Sequence, residues 1–186
     1  MNAAALLLPH RCLMLSRSAL HQLRISLEKG TGVQSATYLQ EAGFASGEGV
    51  YNAFAEWVAA TYFVEKPSDL DVQYLGEAMS GFFQECGWGT LVPDQIAPAV
   101  MCLDSSDWSE AAPESEAQYP SCHFSCGLLA DFMGRLSGGL MGVMEVECRS
   151  RGEERCRFLA GSPETLHAIY ERMNQGVTYQ QALGLT

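Results

Sequence analysis

Two cysteines, Cys148 and Cys156, flank the seven-residue turn sequence RSRGEER, and a third, Cys122, opens a helical pattern upstream of them. A hairpin turning at Gly152 would hold the first two thiols close together, both alternating toward an apolar face with Val146 and Phe158. If the helix packs across the hairpin, Cys122 joins them, and distant chain segments meet at one point as they do around a structural zinc. Three buried thiols in a reduced core account for the same residues without a metal. A fourth ligand is open on spacing alone. In a regular strand residues 145 and 148 point to opposite faces, so Glu145 reaches the thiols only if a bulge or strand end re-aims it. Cys126, one helical turn after Cys122, is the competing choice. His123, beside the site, reads as packing or surface.

The rest of the cysteine usage agrees with thiols kept reduced. The chain has seven cysteines, an odd number, and its opening MNAAALLLPHRC has no basic residue before the apolar run and no cleavage-like sequence after it. That start is not read as a secretory signal, so a cytoplasmic location is expected, where metal binding is a commoner use of cysteine than disulfides. Cys12, Cys86 and Cys102 stand apart and read as buried small hydrophobes. A formal net charge of −11 repels nucleic-acid phosphates and anionic membrane surfaces, and no apolar run is long enough to span a bilayer. The segment DSSDWSEAAPESEAQYP at 104–120 concentrates acids and reads as a solvated loop. A length of 186 residues suits one domain, with a helical part at 1–87 and a motif-bearing part at 88–186.

Hydrophobic periodicity predicts a helix capped by Ser16 or Ser18, with Leu20, Leu23 and Leu27 on one face and Gly30 as its stop. A longer helix follows at 34–64, rich in aromatics that include Phe54 and Trp57, with Gly43, Gly47 and Gly49 marking a close approach or a bend. Another runs from Ser68 to Cys86. Strands are expected at 88–92 and 99–103, a helix at 122–137, and a hairpin from 140–149 and 155–160. Ser162-Pro163-Glu164 starts a further helix, and a short one ends the chain at 178–183. The fold class is α+β, with helices packed on a mostly antiparallel sheet.

The helix opened by Cys122, followed by MEVECRSRGEERCRF, resembles the 4-vinyl reductase domain family, and YLQEAGFASGEG and FFQECGWG extend the likeness upstream. The resemblance implies helices on a twisted antiparallel sheet, related to the TRAPP tethering subunits, and a homodimer. It also implies a small-molecule or hydrocarbon-binding module, since some members are sensor domains of phenol-responsive activators and one branch belongs to bacteriochlorophyll synthesis. In the sensor branch three cysteines and a glutamate hold a structural zinc. The matching positions are Cys122, Glu145, Cys148 and Cys156, with every interval agreeing. That branch also holds the phenol hydroxyl with a tryptophan and a histidine. Trp108 matches the former, but none of His10, His21, His123 and His167 lies where the latter is expected.

The leading expectation is therefore a non-enzymatic carrier or sensor for an apolar aromatic or tetrapyrrole-like molecule, bound near Trp108, Phe54 and Trp57. An enzyme or accessory factor of (bacterio)chlorophyll synthesis is one alternative, although GFASGEG lacks the glycine spacing of a dinucleotide site and lies within a helical pattern. A dimeric assembly factor with a protein partner is the other.

Overall fold

Two glycines govern how the longest helix meets the helix that carries Cys122. In the computed structural model, which describes residues 2–185, α3 (Gln34–Tyr62) crosses α5 (His123–Ser137) at Gly43 and Gly127. A Cβ added at Gly43 would lie 1.9 Å from the Phe124 carbonyl oxygen, and one at Gly127 would lie 1.9 Å from that of Gln40. Only a bare backbone lets the helices approach so closely. Gly47 likewise makes room for the Asp131 side chain.

Around this pair stand α1 (Ala3–Leu7), α2 (Arg17–Thr31) and α4 (Val72–Glu85). The sheet is antiparallel throughout, in the order β1-β2-β4-β3, from β1 (Val92–Ala97), β2 (Val100–Ser105), β3 (Gly142–Glu147) and β4 (Cys156–Gly161). One apolar cluster, from Ala3 to Ala160, fills the space between the sheet and α1, α3, α4 and α5. A second covers the opposite face, where Leu166, Ile169 and Tyr179 of α6 (Pro163–Asn174) and α7 (Tyr179–Leu183) pack on Val100, Cys102, Val146 and Leu159. The arrangement is the expected α+β fold with helices on both faces of the sheet.

Several expectations shift. The strand expected at 88–92 begins instead at Val92, because Gly87 and Gly89 take φ +83° and +109° and turn the chain around Trp88. Pro93 then sits on an edge strand, where its missing N–H costs nothing. Helix α2 runs past Gly30 and stops at Gly32, and its leucine stripe is not its buried face. Leu23 is 48% exposed, whereas Arg24 is 5% exposed. The acidic segment is not uniformly solvated, since Trp108, Glu110, Ala111 and Ala112 are buried and only its second half is open. Cys102 is buried as expected, but Cys12 and Cys86 are only half-buried. Val146 faces α6 rather than the side of Cys148 and Phe158.

Candidate metal centre

The hairpin brings Cys148 and Cys156 together through a 3-10 turn at Arg149–Arg151 and a left-handed Gly152 at φ +98°. The Cys148 N–H donates to Glu153 Oε2 at 3.0 Å, which fixes the strand exit. Cys122 arrives from the start of α5. Its Sγ lies 3.9 Å from Cys148 Sγ and 3.9 Å from Cys156 Sγ. Two sulfurs held tetrahedrally at the ~2.3 Å zinc–thiolate distance stand ~3.8 Å apart, so the thiols have the spacing of ligands that share one cation.

Glu145 completes the group by the device strand parity demands. The β3–β4 register shifts between Glu145, opposite Phe158, and Glu147, opposite Arg157, so Val146 is the extra residue of a bulge. Val146 and Glu147 both turn toward α6 and α7, where Glu147 accepts hydrogen bonds from Arg155 Nε and the Tyr179 hydroxyl. Glu145 and Cys148 are thereby left on the side of α5. One ligand atom from each of Cys122, Glu145, Cys148 and Cys156 lies within 4.8 Å of the others, and all four residues are buried. Cys126 is buried as well but stands outside this group.

The carboxylate also tests whether a cation fits. Glu145 Oε2 accepts the Cys122 N–H at 2.9 Å, while Oε1 is buried with no partner. A buried oxygen without a donor is costly, and a metal among the thiols would satisfy it. Burial pushes the Cys122 thiol and the Glu145 carboxyl well above their ordinary ranges, whereas hydrogen bonds from the Cys122 and Cys156 thiols pull Cys148 down. Without a cation the pocket holds one thiolate among protonated neighbours; a divalent ion would let all four ligands ionise.

Next to the centre, Glu110 occupies the N-terminus of α5. Its carboxylate accepts Phe124 N–H at 3.0 Å, Ser125 N–H at 2.7 Å and the Ser125 hydroxyl, replacing the side-chain cap that Cys122 does not supply. Burial nevertheless raises its carboxyl to about 7 against those bonds. Ser125 Oγ in turn accepts the Trp108 indole N–H at 2.7 Å. Neither Glu110 nor Ser125 stood out in the sequence, where an acid in SEAA looks like any surface acid.

Trp108, Phe54 and Trp57 all line the larger apolar cluster. Phe54 lies 5.3 Å from Phe82 and 5.2 Å from Phe132, centroid to centroid, and Trp108 stacks on Trp88 at 5.5 Å. The Trp108 N–H is already bonded, but the Trp57 Nε1 is buried with no acceptor. Sequence alone could not tell these two indoles apart.

Residues 106–162 match the family model of the vinyl-4-reductase domain. Over 77 residues the chain is 31% identical to an uncharacterised protein of Methanocaldococcus jannaschii, a match that spans 41% of this chain and 41% of that relative's length. Its fold is similar to that of the phenol-responsive sensory domain of the transcription activator PoxR, solved with phenol, at a TM-score of 0.61 and 22% identity over 82% of this chain and 77% of that one. It is also similar to a vinyl-4-reductase family protein from Methanocaldococcus jannaschii, at a TM-score of 0.54 and 16% identity over 84% and 90% of the two chains. At these identities the structural likeness concerns the fold. The segment that carries all four candidate ligands, residues 106–162, belongs to the vinyl-4-reductase domain family.

Proposed function

We propose that this chain is a non-enzymatic small-molecule-binding module for an aromatic compound with a hydrogen-bond-accepting atom, and that zinc is its structural ion. The observation that carries the ligand reading is the Trp57 Nε1, a buried donor without an acceptor on the wall of an aromatic interior. An apolar pocket with one convergent polar group is how proteins orient such ligands, and the PoxR domain of similar fold was solved with phenol. The interior rings stand 5.2–6.0 Å apart, so a single-ring compound asks for far less displacement of the core than a tetrapyrrole.

The zinc reading rests on the donor set. Three sulfurs and a carboxylate fill a tetrahedral shell with soft, buried ligands and leave no position for a substrate. Reduced thiols of this kind suit a cytoplasmic setting. The same reading includes a homodimer, supported by Leu13, Met14, Leu15 and Leu23, which stand exposed on α2 and the segment before it. Light scattering of the purified chain reads that directly. No helix among the described residues is long and apolar enough to cross a membrane.

Phenol serves as the probe for the ligand. Equilibrium dialysis of the zinc-loaded protein should show saturable phenol binding, weakened about tenfold by Trp57→Phe, the loss of one buried hydrogen bond. Melting should be unchanged, because the substitution removes only an unpaired donor. Equal affinity in wild type and W57F would sink the assignment, as would wild-type protein with no saturable binding.

A further inference from the structure

Helix α2 is held to the rest of the chain in an unusual way. Of its fifteen residues only Arg24 is buried, with 6% of its side chain exposed. A buried guanidinium requires compensation, yet the carboxylate it pairs with, Glu28 Oε1, is 3.8 Å away and its Nε has no hydrogen-bond partner. Its Nη2 lies 3.1 Å from His21 Nδ1, and its Nη1 donates to Ser121 Oγ at 2.5 Å. Ser121 Oγ stands 3.8 Å from Cys148 Sγ.

The direction of this relay follows from the groups themselves. A guanidinium has no acceptor, so Ser121 Oγ accepts from Arg24 and keeps its own proton for the sulfur. A metal-bound thiolate has no proton to give and must be the acceptor. The four anionic ligands outnumber the charges of a divalent cation, which leaves a buried centre with net negative charge and a buried arginine one hydroxyl away. Each supplies what the other lacks.

We infer that Arg24 is a positioning residue for the metal centre, and that through Ser121 and Cys148 it couples metal occupancy to the docking of α2. The inference rests on the metal reading above. Coupling of this kind is reciprocal: docked α2 strengthens metal binding, and bound metal holds α2 in place. Residues that orient or stabilise a ligand from behind typically change metal affinity by ~10–100-fold.

The experiment uses the full chain with Zn2+ and Co2+. Arg24→Met and Ser121→Ala should each weaken Zn2+ binding about tenfold in competition with a chromophoric chelator, and the double variant should be no weaker than either single one. The thiolate-to-cobalt absorption of the Co2+ form should shift in R24M and S121A. Removing zinc from the wild type should speed amide exchange across residues 17–31. Arg17→Met is the control, because Arg17 Nη2 ties the same helix to the Ala111 carbonyl at 2.5 Å without touching a ligand. It should loosen α2 and leave the cobalt spectrum and zinc affinity unchanged. If R24M and S121A bind zinc as the wild type does, or if R17M weakens it equally, the coupling through Arg24 is wrong while the metal reading stands. A wild-type chain that takes up neither ion overturns both.

Discussion

Glu145→Ala and Cys126→Ala make a pair that decides the fourth ligand. In E145A the centre loses its oxygen ligand and the Cys122 N–H loses its acceptor at 2.9 Å. Structural zinc contributes ~10–16 kcal/mol in small zinc peptides, so one ligand of four is worth on the order of 3 kcal/mol. A stranded buried N–H adds ~1–3 kcal/mol. A total of about 4–6 kcal/mol is a large share of the ~5–15 kcal/mol that keeps a domain folded. In C126A a buried side chain, 4% exposed, loses only its sulfur packing, about 1 kcal/mol. Urea unfolding at pH 7 gives the stabilities, and elemental analysis after gel filtration gives zinc per chain. E145A should lose metal and much of its stability; C126A should keep its zinc. The reverse pattern, with C126A empty and E145A fully loaded, would refute the geometry drawn from the bulge and the unpaired Glu145 oxygen.

Gly127→Ala should destabilise by about 3 kcal/mol or more, because its Cβ would lie 1.9 Å from Gln40 O and 2.7 Å from Phe44 N, and α3 and α5 must part to admit it. Gly30→Ala, with nothing within 4 Å and a place inside α2, should instead stabilise by up to ~1 kcal/mol; urea midpoints that move together would contradict both. Glu110 adds a pH dependence: its carboxyl is raised from 4.5 to about 7 in the folded chain, so its contribution is full below about 4.5 and is lost as pH rises through about 7, on the order of 3 kcal/mol. Glu110→Gln cannot titrate, and the difference in stability between wild type and E110Q should fall across that window; a difference that does not vary with pH rules the shift out.

Where side-chain periodicity and punctuation decide structure, the sequence is a good guide to this chain. The Ser162-Pro163 start of α6, the glycine stop at Gly138 and the turn at Gly152 all depend on one or two residues and their intrinsic backbone preferences. The three thiols of the metal centre are legible for the same reason, since a hairpin brings Cys148 and Cys156 together whatever surrounds it. What fails is anything set by the partner across a gap. Leu20, Leu23 and Leu27 make a proper helical stripe, yet α2 buries Arg24, because its neighbour offers the polar loop around Ser121 and Ala111 rather than an apolar face. Glu110 and Ser125 gain their roles only from the open N-terminus of α5 opposite them. Trp57 and Trp108 are equal as letters and differ only in whether a hydroxyl happens to stand within reach.

The bulge at Val146 links these two kinds of information. A regular strand would place Glu145 and Cys148 on opposite faces, because side chains alternate with period two. Inserting one residue reverses the parity once, so β3 can present two nearby acids to opposite faces without changing its partner strand. Glu145 turns to the thiols, and Glu147 turns to the other face, where Arg155, Arg157 and Tyr179 converge on it and Asp104 pairs with Arg157. The two carboxylates are separated by a single residue and have opposite fates. Burial raises Glu145, which only a cation would leave charged, whereas hydrogen bonds from Arg155 and Tyr179 outweigh burial and lower Glu147. The metal centre therefore depends on the charge network behind the sheet: those arginines hold Glu147 outward, and that hold keeps Glu145 aimed inward.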